Sequence, residues 1–366
     1  MNVSFLDLGA QYESLKHELL PAVEGALARA HYILGPNVSA FEQELASFLG
    51  VKFAVGVNSG SDALTLALRA LNIQAGDEVI TTPFTYIAPA EAIHIVGAKI
   101  VFADIDPRTF QIDPADVARK ITPRTKAIIP VHLFGQPAPL RELQALAQKH
   151  QLAIVEDCAQ AIGSTYGGKA VGGWGALGCF SFYPTKNLGA AGDGGMIVTG
   201  DEALAHKLRM LRVHGIERRY FHDLHGYNSR LDDLQAAALR VKLKRLPAWN
   251  NRRAVLAGHY TRALANLPVE TPKASEGSHV YHVYAILTDQ RDALQKHLET
   301  RGISTLIYYP RPLHLQKVYA DLGYHAGDFP HAEAVSNRIL PLPMYPELTD
   351  EKVDYVAAAI REFCAR

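Results

Sequence analysis

The sequence predicts an α/β fold, with a large domain on a mainly parallel seven-stranded sheet and a smaller C-terminal α/β domain. Three observations carry this prediction. From about residue 50, short apolar runs alternate with amphipathic runs of ten or so residues. The short runs are apolar throughout rather than at every second residue, as burial on both faces of a sheet requires. The polar residues with chemical potential gather where apolar runs end, which is where parallel sheets hold ligands. The chain has 366 residues, 48% of them hydrophobic, enough for a substantial core and for two domains.

The elements follow in order. "KFAVGV" reads as a strand and "SDALTLALRAL" as the helix after it. "DEVITT" is a strand and "YIAPAEAIHIVG" helical. "KIVFADI" is a strand, and "DPADVARKI" a helix that Asp113 caps, with Pro114 in its first turn. "KAIIPVHLF" and "AIVEDC" are strands on either side of the helix "PLRELQALAQKHQ". "ALGCFSFY" and "GGMIVTG" complete the seven, ahead of the helical "DEALAHKLRMLRVHG". From about residue 230 the pattern becomes helical, with a break near Pro247. A strand "YHVYAIL", a helix "RDALQKHLETRG", a loop "IYYPRPLHLQKVY" and a final amphipathic helix "DEKVDYVAAAIREFC" follow. The expected division is 1–245, a large domain including the N-terminal arm, and 246–366, the smaller domain.

Lys+Arg and Asp+Glu both number 37, so no basic field points to nucleic acid and no charged tail to a membrane surface. The three cysteines, Cys158, Cys179 and Cys364, form no CxxC pair, which fits a reducing compartment. The first twenty residues carry early acids and no long apolar run, unlike a signal peptide, and no run of about 18 apolar residues occurs. A cytoplasmic location is expected.

Four stretches hold the candidate site. In "VNSGSDALTLAL", Ser59, Gly60 and Ser61 join a strand to a helix. Free N–H groups in a helix's first turn hold phosphate well, but taken alone the pattern fits an ordinary serine cap with Asp62 at the positive helix end better. In "AIVEDCAQAIG", Asp157 ends a buried strand and needs a cation, either a protonated heterocyclic nitrogen or a structural partner. Gln160 reaches the same region. In "FSFYPTKNLGAAGDGG", Ser181 and Tyr183 alternate with Phe180 and Phe182 and so share a strand face. Lys186 and Asn187 follow. A nucleophilic lysine needs its pKa lowered from about 10.4, which an aromatic, glycine-lined pocket supplies by desolvation. In "HGYNSRLDDLQAA", Asn228 or Ser229 reads as a helix cap. Phosphate donors, a buried acid and a lysine at strand ends together match what pyridoxal 5'-phosphate demands. The pair His279 and His282 in "HVYH" has metal-like spacing only at a helix end, and no metal is expected.

The whole chain resembles the sugar aminotransferases of the DegT/DnrJ/EryC1/StrS type, a branch of the aspartate-aminotransferase fold among fold type I pyridoxal phosphate enzymes. The resemblance rests on "NSGSDAL", "GDEVITTPFTYIA", "TKAIIPVHLFGQPA", "VEDCAQAIGSTYGG", "FSFYPTKNLGAAGDGGMIVT", "HGYNSRLDDLQAA" and "GISTLIYYPRPLHLQ". It implies that Lys186 bonds the cofactor aldehyde and shuttles a proton. It also implies that Asp157 partners the ring nitrogen and Gln160 meets the ring hydroxyl. Gly60, Ser61 and Ser181 would cradle the phosphate. Tyr86, in preference to Phe84, would stack on the ring. Asn228 would reach the phosphate from a neighbouring subunit, making a homodimer with shared sites. The cofactor would pass through its pyridoxamine 5'-phosphate form, with L-glutamate as donor and a nucleotide-linked keto sugar as acceptor.

Tyr183 resembles the residue found in enzymes acting at carbon 3 of dTDP-linked 3-keto-6-deoxyhexoses. Tyr308, Tyr309 and His314 resemble a loop lining the sugar pocket in that subgroup. Arg219 and Arg230, with Arg218, are candidates for the pyrophosphate, although Arg218 and Arg219 read equally well as surface charge. The same chemistry at carbon 4 or on a UDP-linked sugar is the near alternative. A regulatory protein that binds the cofactor without turnover is an alternative of another class.

Overall fold

The computed structural model describes residues 1–273 and 275–365. The seven strands Phe53–Val57, Glu78–Thr81, Lys99–Phe102, Thr125–Ile128, Ala153–Asp157, Leu177–Ser181 and Gly195–Thr199 form one sheet. In space they stand in the order first, seventh, sixth, fifth, fourth, second, third. Gly195–Thr199 runs antiparallel to both its neighbours, and the remaining pairs are parallel. Alternate residues serve different cores. Val155 packs with the Gly60–Ala70 and Ala88–Ile95 helices, while Ile154 packs with the Leu140–His150 helix on the other face.

The antiparallel strand shapes the site. Gly195 opposes both Val57 and Ser181, so the carboxyl ends of the first and sixth strands meet beside it. A Cβ on Gly195 would lie 2.3 Å from the Ser59 carbonyl oxygen. Only glycine lets this strand begin against the start of the Gly60–Ala70 helix.

Asp113 caps the Pro114–Lys120 helix by accepting from Ala115 N at 2.9 Å, as its pattern predicts. Pro247 sits in the first turn of Leu246–Ala263, so the break expected there is a gap after Asp233–Leu243. Asn228 and Ser229 do not cap that earlier helix. Asp232 precedes it, and the Ser229 hydroxyl donates to Asp62 at 2.6 Å instead. Two strands, Tyr284–Leu287 and Ile339–Leu342, pair antiparallel under the helices Arg291–Thr300 and Asp350–Cys364 and hold a core of their own. We propose the link between Asp233–Leu243 and Leu246–Ala263 as the boundary between the domains. No helix among the described residues is long and apolar enough to cross a membrane.

Candidate active site

A cavity of about 420 Å³ opens at the carboxyl ends of the strands, within the size range of small-molecule sites. Gly60, Ser61, Tyr86, Asp157, Gln160, Ser181, Tyr183, Lys186, Tyr308 and Tyr309 all line it. Residues spread over 250 positions of sequence thus meet because the sheet stacks their strand ends.

One wall is the start of the Gly60–Ala70 helix. Ser59 is its cap and accepts from Asp62 N at 3.0 Å, so the bland reading of Ser59 is the one the structure draws. Gly60 and Ser61 lie in the first turn, where backbone N–H groups have no partner within the helix. A Cβ on Gly60 would lie 2.6 Å from Ser181 Cβ and 3.1 Å from Ser181 Oγ, so glycine brings the serine hydroxyl against the helix end. The result is a cluster of N–H and O–H donors on a positive dipole, suited to a phosphate.

Asp157 is buried and accepts from Ala159 N at 3.0 Å. Burial raises its carboxyl above the usual range, against the opposing pull of that N–H and of the nearby Lys186. Gln160 is held at both ends. Its Oε1 accepts from Phe134 N at 2.7 Å and its Nε2 donates to the Tyr309 hydroxyl at 3.1 Å. Tyr309 therefore stands beside Gln160 in the cavity wall. Phe84 is fully buried against Phe110, Phe134 and Tyr309, whereas Tyr86 is 60% exposed in the cavity wall. Of these two rings, only Tyr86 is free to meet a ligand.

The strand Leu177–Ser181 ends at Ser181, two residues earlier than the sequence pattern indicates. The alternation persists past its end. Phe180 and Phe182 are buried together while Ser181 and Tyr183 face the cavity, and Tyr183 N donates to Ser181 Oγ at 3.3 Å. Lys186 follows in a turn closed by its N–H to the Tyr183 carbonyl at 2.8 Å. Burial lowers its amine to about 8, with Asp157 opposing.

Arg218, Arg219, Arg230 and His314 are not brought into this cavity, and Asn228, expected to serve a neighbouring subunit, lies outside its own. Arg219 is exposed between the paired strands Ile216–Arg218 and Phe221–His222, its guanidinium 5.1 Å from the Tyr220 ring, and the Arg218 guanidinium lies 3.8 Å over the Phe221 ring. Arg230 is half-buried away from the cavity, and Asn228 is exposed next to it. His314 is a correction of a different kind. Leu313 and His314 fold inward as a short turn, and His314 Nε2 bonds Glu333 Oε1 at 3.1 Å beside the Phe329 ring. Packing against Phe329 and the bond to Glu333 hold the imidazole outside the cavity lining in this structure. His279 and His282 share no point either. His279 Nδ1 accepts from Tyr281 N at 2.9 Å, and His282 lines the cavity. Thr85, Thr185 and Asp193 also line it, with nothing in their spacing to single them out.

The family model of the DegT/DnrJ/EryC1/StrS aminotransferase family matches residues 13–361. The chain belongs to this family. It is 49% identical to a "Pleiotropic regulatory protein" of Geobacillus stearothermophilus, over 99% of both chains. It is also 49% identical to a UDP-N-acetyl-3-dehydro-α-D-glucosamine 3-aminotransferase of Acidithiobacillus ferrooxidans, covering 98% of this chain and 97% of that one. Identity to a dTDP-3-amino-3,4,6-trideoxy-α-D-glucose transaminase of Streptomyces venezuelae is 46%, over 100% of this chain and 97% of the relative. The crystal structure of S. venezuelae DesV in complex with a ketimine intermediate superposes with a TM-score of 0.98 at 46% identity, over 100% of this chain and 99% of that one. Bacillus subtilis NtdA with bound cofactor PMP gives 0.94 at 32% identity, over 100% of this chain and 86% of that one.

The protein is an aminotransferase of the fold type I class, and its cofactor is pyridoxal phosphate. The donor set of the cavity suits that group. A glycine-tight cradle at one end takes an anion, a buried acid with one N–H partner takes a cation, and a lone amine of lowered pKa lies on the same wall.

Proposed function

We propose that the protein moves an amino group from L-glutamate to carbon 3 of a dTDP-linked 3-keto-6-deoxyhexose, giving a dTDP-3-amino-3,6-dideoxyhexose. The observation that carries this reading is the amine of Lys186, lowered to about 8, in one cavity with Asp157, the Gly60 and Ser61 helix start, and Tyr183. The relatives from S. venezuelae and A. ferrooxidans are both named for an amino group at carbon 3, which favours that carbon over carbon 4. The second of them also favours a UDP-linked 3-keto sugar as the next reading.

Pyridoxal phosphate, when bound, supplies an aldehyde that takes up amino groups and a ring that accepts electrons. Gly60, Ser61 and Ser181 hold its phosphate, and Tyr86 covers the ring. Asp157 keeps a proton on the ring nitrogen, and Gln160, itself fixed by Phe134 N and Tyr309, meets the ring hydroxyl. Lys186 would hold the aldehyde end of the cofactor, and its amine, lowered to about 8, would serve as the base that takes a proton from the donor's α-carbon and the acid that delivers one to carbon 3 of the sugar. Tyr183 and Tyr308 border the sugar. The active unit is a homodimer in which Asn228, exposed and outside its own cavity, serves the neighbour's phosphate.

The test begins with colour. Purified holoenzyme absorbs visible light and bleaches with L-glutamate, and a dTDP-linked 3-keto sugar restores the band faster than a 4-keto or UDP-linked one. Lys186→Ala keeps bound cofactor yet loses about 10⁴-fold or more of the glutamate half-reaction. A wild-type protein that takes up the cofactor but never bleaches with any amino donor refutes the reading.

A further inference from the structure

His282 lies in "SHVYH", just ahead of the Tyr284–Leu287 strand, and lines the same cavity as Lys186. A chain of amides fixes its tautomer. Asn250 Nδ2 donates to the Ile162 carbonyl at 2.9 Å, which leaves Asn250 Oδ1 to accept from Asn187 Nδ2 at 2.9 Å. Asn187 Nδ2 also donates to the Val280 carbonyl at 3.1 Å, so both its hydrogens are used. Its Oδ1 faces His282 Nδ1 at 3.1 Å. An amide oxygen only accepts, so Nδ1 carries the hydrogen and Nε2 keeps a bare lone pair. Flipping Asn187 would set its oxygen against two other oxygens.

Among the described residues Nε2 has no hydrogen-bond partner, and it is not one of the buried unpartnered side-chain atoms. It therefore opens onto the cavity. The backbone behind it is pinned. Arg253, 3% exposed, directs Nη1 to the carbonyls of Tyr281 at 3.1 Å, His282 at 3.5 Å and Met344 at 2.9 Å. Burial, helped by the Lys186 and Arg253 charges and by His279, holds the ring well below the usual histidine range. At neutral pH it is an acceptor and not a cation.

We propose that His282 is a positioning residue for Lys186: with the cofactor seated and the lysine amine free of its carbon, the Nε2 lone pair receives an N–H of that amine, a bond the two groups do not make in this structure. The inference rests on the role given to Lys186 above. A lysine on a flexible four-carbon stem samples many directions, and a base works only within reach of its proton. Asp157 is committed to the ring nitrogen once the cofactor is bound. A second carboxylate would hold the ammonium proton on. A neutral imidazole orients the amine without that penalty, and its bond through Asn187, the residue next to Lys186, fixes both partners to one turn.

Two substitutions separate this from a structural role. His282→Asn keeps a donor at the place of Nδ1 and removes the acceptor at Nε2. His282→Gln puts a carbonyl oxygen near the place of Nε2 and gives up the bond to Asn187. In single turnovers of the soluble holoenzyme with L-glutamate, His282→Asn slows the maximal rate about 10- to 100-fold with KM within about threefold, and His282→Gln recovers at least about a third of the wild-type rate. A second readout is the pH dependence of pyridoxal phosphate capture by the full chain freed of cofactor, measured at saturating cofactor so that the amine reacts with a cofactor already seated. With Asn at 282 the ammonium loses an acceptor, so the midpoint moves to lower pH, and with Gln it stays. Loss in the Gln variant with none in the Asn variant, equal loss in both, or no loss in either overturns the proposal. If the wild type never reacts with glutamate, the catalytic reading of Lys186 fails, while the capture profile still reports whether His282 orients the amine.

Discussion

Glu156 and Asp157 are consecutive acids at the end of one strand, and their exposures are 0% and 5%. Strand alternation sends them to opposite faces, and there the likeness ends. Glu156 is saturated. Its Oε1 accepts from Trp174 N and Gly175 N at 2.7 Å each, and its Oε2 from Gly172 N at 2.8 Å and His132 Nε2 at 3.0 Å. His132 can donate there because its Nδ1 already accepts from Ala138 N at 2.9 Å. Asp157 has one side-chain partner, Ala159 N, and lines an open cavity. A buried carboxylate with every lone pair used is structure. One left short of partners beside a cavity is waiting for a ligand.

Swapping each acid for its amide breaks the comparison if it is wrong. Asp157→Asn removes the charge expected to hold the ring nitrogen proton. The glutamate half-reaction falls about 10²- to 10³-fold while the thermal midpoint stays level or rises, since a costly buried charge is gone. Glu156→Gln points an NH₂ group at donors that cannot turn away. Unfolding free energy measured in urea falls by about 3 kcal/mol, and the folded fraction keeps far more activity than Asp157→Asn does. Enzyme that unfolds with Asn at 157, or stays firm but inactive with Gln at 156, would reverse the assignment.

The next effect sharpens the comparison through Lys186, whose amine faces the unsatisfied acid. Burial disfavours the ammonium and lowers it to about 8, while Asp157 pulls the other way. Capture of pyridoxal phosphate by the cofactor-free chain needs the neutral amine. Its rate therefore rises about tenfold per pH unit below about 8 and levels off above it, whereas an exposed lysine would go on rising towards about 10.4. Removing the opposing charge in Asp157→Asn moves the midpoint to lower pH. A midpoint unmoved by that substitution would mean that the two groups do not sense each other.

Much of this site was legible in the sequence because strand ends in a parallel sheet converge, and "SGS", "VED" and "FSFYPTK" all mark such ends. What was not legible depended on partners distant in sequence. Ile339–Leu342 is a strand although "ILPL" contains a proline, because Tyr284–Leu287 pairs with it. That Gln160 donates to the Tyr309 hydroxyl, 149 residues away, shows only in the fold. His282 stands out by spacing alone, but its tautomer depends on Asn187, and the orientation of Asn187 depends in turn on Asn250 and Val280.

The smallest expected effect concerns His314, which sequence similarity puts in the sugar pocket and which does not line the cavity in this structure. It is 2% exposed, bonded to Glu333 and packed on Phe329, and its Nδ1 is buried with no hydrogen-bond partner. Burial keeps the ring below the usual histidine range, although Glu333 favours its charged form. Glutamine in its place retains a donor for Glu333 and loses ring packing. The expected cost is about 1 to 2 kcal/mol of stability, with KM for the keto sugar changed less than about twofold. Histidine at a sugar contact would instead raise that KM about tenfold or more on the same change, because a lost hydrogen bond to a substrate hydroxyl leaves a partner unpaired. Since Tyr183 lines the cavity and His314 does not, Tyr183→Phe should move the sugar KM while His314→Gln leaves it in place. Equal shifts in both would put His314 back beside the substrate and require the Leu313–Leu315 turn to open when the sugar binds.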